Sequence, residues 1–495
     1  MKVFLMARDR DFGLQEAVLW NAAALKQDLE LDTLLDALAG GDAFVREVAE
    51  SALLAGAGDL DTIRYRQGAL RDCLRNPDVV RALYQVPIEA QETKRRHWLS
   101  IFGTRPSSIL YSATEMLQML VGALRRLRAI ADEGAGGFTS EGFTRFFAML
   151  QRELSDEYLA TIEAHLRELR FRDGVLISAE LGRGNESQHY VLRKPNGGAG
   201  WMRRALAGRA HSYSFSIHPR DQAGGRALAD LRDRGLNRVA NAAAQSADHV
   251  DSFFRQLRLE LAFYVGCLNL YERLTALGEV MSFPQPAAPG EMRLTAQGLY
   301  DPCLALAMGR KVVANDVQAD GRKMVIITGA NQGGKSTFLR SVGVAQLMMG
   351  CGMVVPAEAL RASLASGLFT HYRREEDTTM TSGKLDEELS RMSEIAAHLG
   401  PGAWVLFNES FAATNEREGS EIARQIVRAL VESGVRVLFV THLYEFAHSL
   451  AMEGPDRPLF LRAQRQSDGR RAFRLVEGEP LQTSYAADLY QNVFG

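Results

Sequence analysis

Met324-Val325-Ile326-Ile327-Thr328-Gly329-Ala330-Asn331-Gln332-Gly333-Gly334-Lys335-Ser336-Thr337 is the stretch from which the rest of the chain can be read. An apolar, β-prone run enters a loop with GxxxxGK[ST] spacing, and a helical pattern follows from Thr337. That order, strand then glycine loop then helix, is what a phosphate cradle requires. The glycines let the backbone come close, so that successive N–H groups point at phosphate oxygens. The helix that follows adds the positive end of its dipole. Lys335 is the cation for the β- and γ-phosphates, and the Ser336 hydroxyl is the ligand for Mg²⁺. A chance glycine-rich loop lacks this flanking context, so Gly329, Ala330, Asn331, Gln332, Gly333, Gly334, Lys335, Ser336 and Thr337 are read as nucleotide contacts.

Three downstream stretches supply what such a loop needs to act on a nucleotide. Ala403-Trp404-Val405-Leu406-Phe407-Asn408-Glu409 is an apolar strand ending in two polar residues. Glu409 is placed to orient and deprotonate an attacking water. Asn408 stands where an Asp is usual; its carbonyl can hold a metal-bound water but brings no charge, so Mg²⁺ would be held less firmly. Val435–Val440 is a further strand running into Thr441-His442. In a parallel sheet the strand's carboxyl end faces the nucleotide crevice, which makes His442 a γ-phosphate sensor. Finally, Ser382-Gly383 precedes a helical pattern with Leu385, Leu389, Met392, Ala396 and Leu399 on one face. Asp386, Glu387 and Glu388 in its first turn favour the dipole, and Ser382 and Gly383 then sit at an anion-binding helix N-terminus. A Ser-Gly cap in isolation is more often only a cap.

At 495 residues the chain exceeds one compact core, so two or three domains are expected. Hydrophobic residues at 46% and charged residues at 24% are those of a globular protein rather than a disordered one. No apolar run spans a bilayer and no secretory leader is evident, which predicts a cytoplasmic protein without membrane contact. Four widely spaced cysteines with no CxxC pair argue against a zinc site and fit a reducing compartment. The net charge of −2 gives no compositional support for DNA binding, so any such contact must rest on local basic patches or a topological grip. The pattern predicts a multidomain chain: residues 1–285 mostly helical, then an α/β domain over 286–495. A β insertion at about 174–217 is read from Gly174–Leu181, His189–Arg193 and Ser212–Ile217. The proline-rich Phe283–Gly290 is where regular structure should stop, and it marks the boundary.

Taken in this order, the elements resemble the ATPase domain of the MutS family of DNA mismatch-repair proteins. The likeness includes Val313-Ala314-Asn315-Asp316, the run Ile327–Thr337, Val354-Val355-Pro356-Ala357, Glu376-Asp377 ahead of Ser382-Gly383, Asn408-Glu409 with Thr414, Thr441-His442, and Ser484-Tyr485-Ala486. It is close over residues 292–495 and looser over roughly 20–290, which resembles the family's core, lever and clamp regions. The resemblance implies a P-loop domain of ABC type and a composite ATPase. In it Ser382 and Gly383 of one subunit complete the site around the other subunit's ATP, so a homodimer working with ATP and Mg²⁺ is implied. ATP would change the grip of clamp arms on DNA. Departures accompany the likeness. The FxE motif of the mismatch reader occurs only as Phe407-Asn408-Glu409, inside the strand of the nucleotide site. Too few residues precede the core for the mismatch-recognition and connector domains, and Leu385 replaces a second signature hydroxyl. The resemblance is therefore to a short MutS-like protein lacking the N-terminal mismatch-recognition domain, acting in mismatch repair or related repair and recombination, with the DNA structure it prefers left open.

Candidate DNA contacts are basic clusters at Lys94–Trp98, at Arg125-Arg126-Leu127-Arg128, and at Trp201-Met202-Arg203-Arg204 with Arg209. Most such clusters are solvated helix faces. Arg203, Arg204 and Arg209, beside the turn-forming Asn196-Gly197-Gly198, are the best candidates, and they would hold phosphates without reading sequence. Two function classes follow: an ATP-controlled DNA-binding dimer acting in repair or recombination, or an ATP-gated scaffold for a protein or ribonucleoprotein.

Overall fold

A computed structural model describes residues 1–14, 19–56, 58–98, 104–172, 174–194, 213–330, 332–374, 383–452, 457–465 and 471–481. The chain divides into two compact units. One holds residues 1–3, 81–136 and 145–258, the other 4–80, 137–144 and 259–495. In chain order the helices begin with α1 (Ala22–Asp28), α2 (Leu31–Ala39), α3 (Ala43–Leu54) and α4 (Leu60–Arg75). Aspartates start two of them: Asp42 accepts from the amides of Phe44 and Val45, and Asp59 from that of Thr62. Each satisfies donors that the first turn leaves open.

The first unit draws on α5 (Pro77–Trp98), α6 (Pro106–Gly134), α7 (Glu141–Glu153), α8 (Asp156–Glu168), the hairpin β1 (Leu176–Leu181) and β2 (Ser187–Arg193), and the first part of α9 (Gln222–Ala276). The apolar stripe Leu117, Leu120, Leu124 and Leu127 is buried along α6, as its spacing predicts. β1 and β2 pair antiparallel, with Ile177 opposite Leu192. Ile177 sits so close to Gly235 of α9 that a Cβ there would come within 2.4 Å of it, so the hairpin lies on bare helix backbone. Of the third expected strand, Ser212 lies outside the described residues, and Tyr213–Ile217 pairs with no strand among the described residues, with Tyr213 and Phe215 exposed.

The second unit carries the α/β part. After β3 (Gln285–Ala287), β4 (Leu294–Leu299), α10 (Pro302–Met308) and β5 (Asn315–Gln318) come β6 (Met324–Thr328), α11 (Lys335–Gly350), β7 (Ala359–Ser363) and β8 (Leu368–Tyr372). Then follow α12 (Lys384–Ala396), β9 (Trp404–Asn408), α13 (Glu416–Glu432), β10 (Arg436–Val440), α14 (Tyr444–Ala451), β11 (Leu459–Arg465) and β12 (Arg471–Glu477). The central sheet has order β12-β11-β6-β10-β9-β8 and is parallel except for the β11–β12 hairpin. Its two central strands, β6 and β10, are buried along their whole length, the composition expected where both faces are covered. Register sets Ile326, Phe439 and Phe407 in one row, and the last two rings stack at 4.8 Å.

A second sheet, β3-β7-β4-β5, lies in the same unit. Arg436 ties it to β10, since its buried guanidinium donates to the carbonyls of Arg293 and Ala319 and lies over the Trp404 ring. The proline-rich segment differs from expectation. Gln285–Ala287 forms an edge strand paired parallel with β7, a position that tolerates Pro286 because an edge leaves one row of donors unused.

Candidate nucleotide site

β6 ends at Thr328, and the chain turns through Gly329 at φ +110° and Gly334 at φ +89° before α11 begins at Lys335. Both angles belong to glycine. Gly333 is required for space: a Cβ there would meet the Ala330 carbonyl at 2.9 Å and Ala463 of β11 at 2.7 Å. The loop closes around the Lys335 ammonium, which donates to Gly329 O at 2.7 Å and Ala330 O at 3.4 Å. Burial lowers the Lys335 pKa, and the nearby Glu409 carboxylate opposes that shift. A buried cation on two neutral carbonyls is poised to exchange them for an anion. Gln332 accepts from Arg471, and Asn315 bonds the backbone of Phe473 and Leu475, so the β11–β12 hairpin is fastened beside Gly334. Asn331 lies outside the described residues.

The neighbouring strands bring the other polar ends to the same edge. Asn408 is paired with Val440 on one side and Tyr372 on the other. Its Oδ1 accepts from the Ser336 hydroxyl at 2.7 Å. The two residues expected to share Mg²⁺ thus already meet. Among the described residues no group of three His, Cys, Asp or Glu converges, so a divalent ion would rest on Ser336, Asn408 and the nucleotide's own phosphates. Glu409 follows at φ +52°, its N–H bonded to Val440 O at 2.9 Å. His442 is exposed just past the end of β10, whose sheet position beside β6 and β9 is that expected of a residue facing the crevice.

Gly383 caps α12, and Asp386 and Glu387 lie in its first turn; Ser382 is outside the described residues. The buried face of α12 is the expected one in part: Met392 is buried and Leu399 packs on the core, but the face is turned toward Glu388. Glu388, Met392 and Ile395 point inward, whereas Leu389 is 38% exposed. The reason lies in the turn after β9. The Glu388 carboxylate accepts from the Phe411 amide at 2.7 Å, and Phe411 has φ +62°. Non-glycine residues in this region cost about 1–2 kcal/mol each and persist only where the surroundings impose them. His371 supplies another constraint, with Nδ1 2.7 Å from Ser410 Oγ and Nε2 2.9 Å from Glu388 O. Burial lowers the His371 pKa to about 4, so the ring is neutral near pH 7. The Ser410 hydroxyl donates to His371 O at 2.6 Å, so ring and backbone of His371 both hold Ser410 while Nε2 meets the Glu388 carbonyl. Sequence reading singled out neither His371 nor Ser410, and it placed Glu388 with the dipole-favouring acids of the first turn, whereas the structure buries it past that turn against the Phe411 amide. The only signal was a helical face one position around from the leucines.

The basic clusters fare unequally. Lys94 pairs with Asp251, Arg125 with Glu163, Arg126 with Glu89 and Arg128 with Asp132, so these cations are engaged within the first unit. Arg203, Arg204 and Arg209 lie outside the described residues.

A glycine loop between the central strand and its helix, with polar strand ends gathered around its lysine and serine, makes this α/β domain a candidate phosphate-binding one. Residues 58–277 match the MutS2 N-terminal domain and residues 325–487 match MutS domain V. The chain belongs to the MutS family. It is 27% identical over 272 residues to the DNA mismatch repair protein MutS of Chloroflexus aurantiacus, covering 51% of this chain and 28% of that one. It is 30% identical over 202 residues to MutS protein homolog 4 of Mus musculus, covering 39% and 21%. A Roseiflexus DNA mismatch repair protein MutS is 24% identical over 269 residues, covering 51% and 24%. The chain thus spans less than a third of the length of these curated relatives. Among its described residues, no helix is long and apolar enough to cross a membrane.

Proposed function

We propose that this is an ATP-dependent DNA-binding protein of the MutS type, a cytoplasmic homodimer whose ATPase acts in mismatch repair or related repair and recombination. The observation that carries this reading is the meeting of Lys335, Ser336, Asn408 and Glu409 at one sheet edge in a MutS-family chain. Lys335 exchanges its loop carbonyls for the β- and γ-phosphates, and the amides from Gln332 to Thr337 take the remaining oxygens. Ser336 directly, and Asn408 through water, hold Mg²⁺, which when bound offsets the phosphate charge. Glu409 takes the proton of the attacking water, and His442 contacts the γ-phosphate. A second copy's Ser382 and Gly383, at the start of α12, close the site in an ABC-type arrangement. Residues 1–285 would form the core, lever and clamp, with the ATPase domain over 286–495. Arg203, Arg204 and Arg209 would grip DNA backbone by structure rather than sequence.

The test is gel shift with junction, mismatched and perfect duplexes, with and without ATP. The expected result is ATP-dependent retention of at least one of them that weakens with salt. Failure to retain any at low salt would refute DNA binding. A second reading, an ATP-gated scaffold for a protein or ribonucleoprotein, is favoured by the net charge of −2 and by the pairing of Lys94, Arg125, Arg126 and Arg128 with carboxylates. Nuclease-treated pull-downs that return one stoichiometric protein partner would select it.

A further inference from the structure

The turn carrying Glu409 is held by residues that do not themselves reach the nucleotide loop. Glu388 is 6% exposed, Ser410 is fully buried and His371 is 1% exposed, so none is a solvated surface group. Phe411 stacks on His371 at 5.2 Å between ring centres. Its carbonyl sits where any Cβ on Gly419 would come within 2.3 Å, so α13 backs the turn closely. Glu409 and Phe411, with Ser410 between them, both hold left-handed backbone angles. Rotating either angle swings the Glu409 carboxylate. The Phe411 amide is fixed by Glu388 of α12, the His371 ring bonds the Glu388 carbonyl, and Ser410 bonds His371 of β8.

We propose that Glu388 is a positioning residue for Glu409: α12 sets the aim of the base in its own subunit through the Glu388–Phe411 bond and the His371–Ser410 pair. The helix that begins at Gly383 therefore has two tasks, offering its N-terminus to a neighbouring nucleotide and tensioning the turn that carries the base. A shift of α12 on dimer closure would be felt at Glu409 without any contact between Glu388 and substrate. This deepens the ATPase reading and rests on it.

The test compares the wild type with Glu388→Ala and Glu388→Gln, whose amide oxygen can still accept the Phe411 N–H. Three quantities are measured: kcat and KM for ATP, affinity for a fluorescent ATP analogue, and hydrogen exchange at the Phe411 amide. In Glu388→Ala, kcat falls about tenfold or more, affinity stays within about twofold, and Phe411 exchange quickens by about tenfold. Glu388→Gln recovers most of kcat and of the protection. If Glu388→Ala does not fold, Ser410→Ala is used, with the same split expected between kcat and affinity. The proposal fails if kcat in the alanine variant stays within about twofold of the wild type, or if kcat and affinity fall together and glutamine rescues neither. If the wild type binds ATP but never hydrolyses it, the ATPase reading fails first and takes this proposal with it. That outcome is recognised because it appears before any variant is compared.

Discussion

At the residue scale the site turns on which groups carry charge. Lys335 is a buried cation holding two carbonyls of its own loop. Lys335→Ala removes both the phosphate counter-charge and the group that shapes the empty loop. Nucleotide affinity should therefore drop by about a hundredfold or more, read by equilibrium binding; retained affinity would remove the phosphates from Lys335. Glu409→Ala should keep affinity and lose turnover, leaving ATP bound over many times the wild-type cycle in a filter-retention assay. Unchanged turnover would remove Glu409 from its role as base. Asn408 meets Ser336 without bringing charge. Asn408→Asp adds a carboxylate beside Ser336, and the half-saturating Mg²⁺ for hydrolysis should fall by about threefold or more. If it does not move, Asn408 does not reach the ion. The meeting of Lys335, Ser336 and Asn408 was legible in the sequence because loop and strand-end chemistry is local: Gly329 to Ser336 and Asn408-Glu409 are contiguous runs. The meeting of Glu388, His371 and Ser410 was illegible for the opposite reason. Their bonds join β8, α12 and the turn after β9, and no spacing along the chain announces that meeting.

At the element scale, strands read well and faces read less well. Met324–Thr328, Trp404–Asn408 and Arg436–Val440 pair as parallel neighbours, because a strand covered on both faces is apolar throughout and needs no phase assignment. α12 needed one, and the expected face is buried at Met392 and packed at Leu399 but exposed at Leu389. Glu388 has its carboxylate paid for by the Phe411 amide, so a carboxylate takes a buried place that hydrophobicity would assign to Leu389. Tyr213–Ile217 shows the converse, a strand-like pattern without a partner strand among the described residues. The His371 ring links β8 to α12, and this link has a pH signature. Its folded pKa is near 4, below the ordinary 6.5, because burial and the cations Arg391 and Arg374 disfavour the charged ring. A depressed pKa means that the unfolded chain binds the proton first as pH falls. The stabilisation is complete above about pH 6.5 and is lost toward pH 4, by an amount on the order of 3 kcal/mol. Glu388, whose carboxyl is raised by burial, acts with the opposite sign. The informative quantity is therefore the difference between wild type and His371→Gln. Thermal melts from pH 7 to 4.5 should show a steeper decline in the wild type, and parallel declines would mean that the ring is not buried neutral.

At the scale of the whole molecule, the proposed arrangement has one chain present half of what the chemistry requires. The described site gathers Lys335, Ser336 and Glu409 at one edge of the sheet, the residues proposed to hold phosphate, metal and the attacking water. The α12 N-terminus belongs to the same chain but, in the proposed arrangement, serves the other copy. Assembly then enters the rate law. If two chains must meet around ATP, specific activity rises with protein concentration until the dimer saturates, and ATP lowers the concentration at which this happens because it binds the assembled form more tightly. Glu409→Ala, which binds without hydrolysing, should hold the dimer longest, giving an ATP-dependent shift in sedimentation that reverses when nucleotide is removed. Mixing provides the stricter measurement. Lys335→Ala cannot load its own loop but still offers Ser382 and Gly383, whereas Gly383→Trp can load nucleotide but presents a blocked helix start. Each alone should be nearly inactive. Their mixture should regain up to about a quarter of wild-type turnover per chain, since half of the dimers are mixed and each of these holds one complete site. Full-rate hydrolysis by a sedimenting monomer, or no recovery from the mixture of two folded variants, would show that each chain completes its own site.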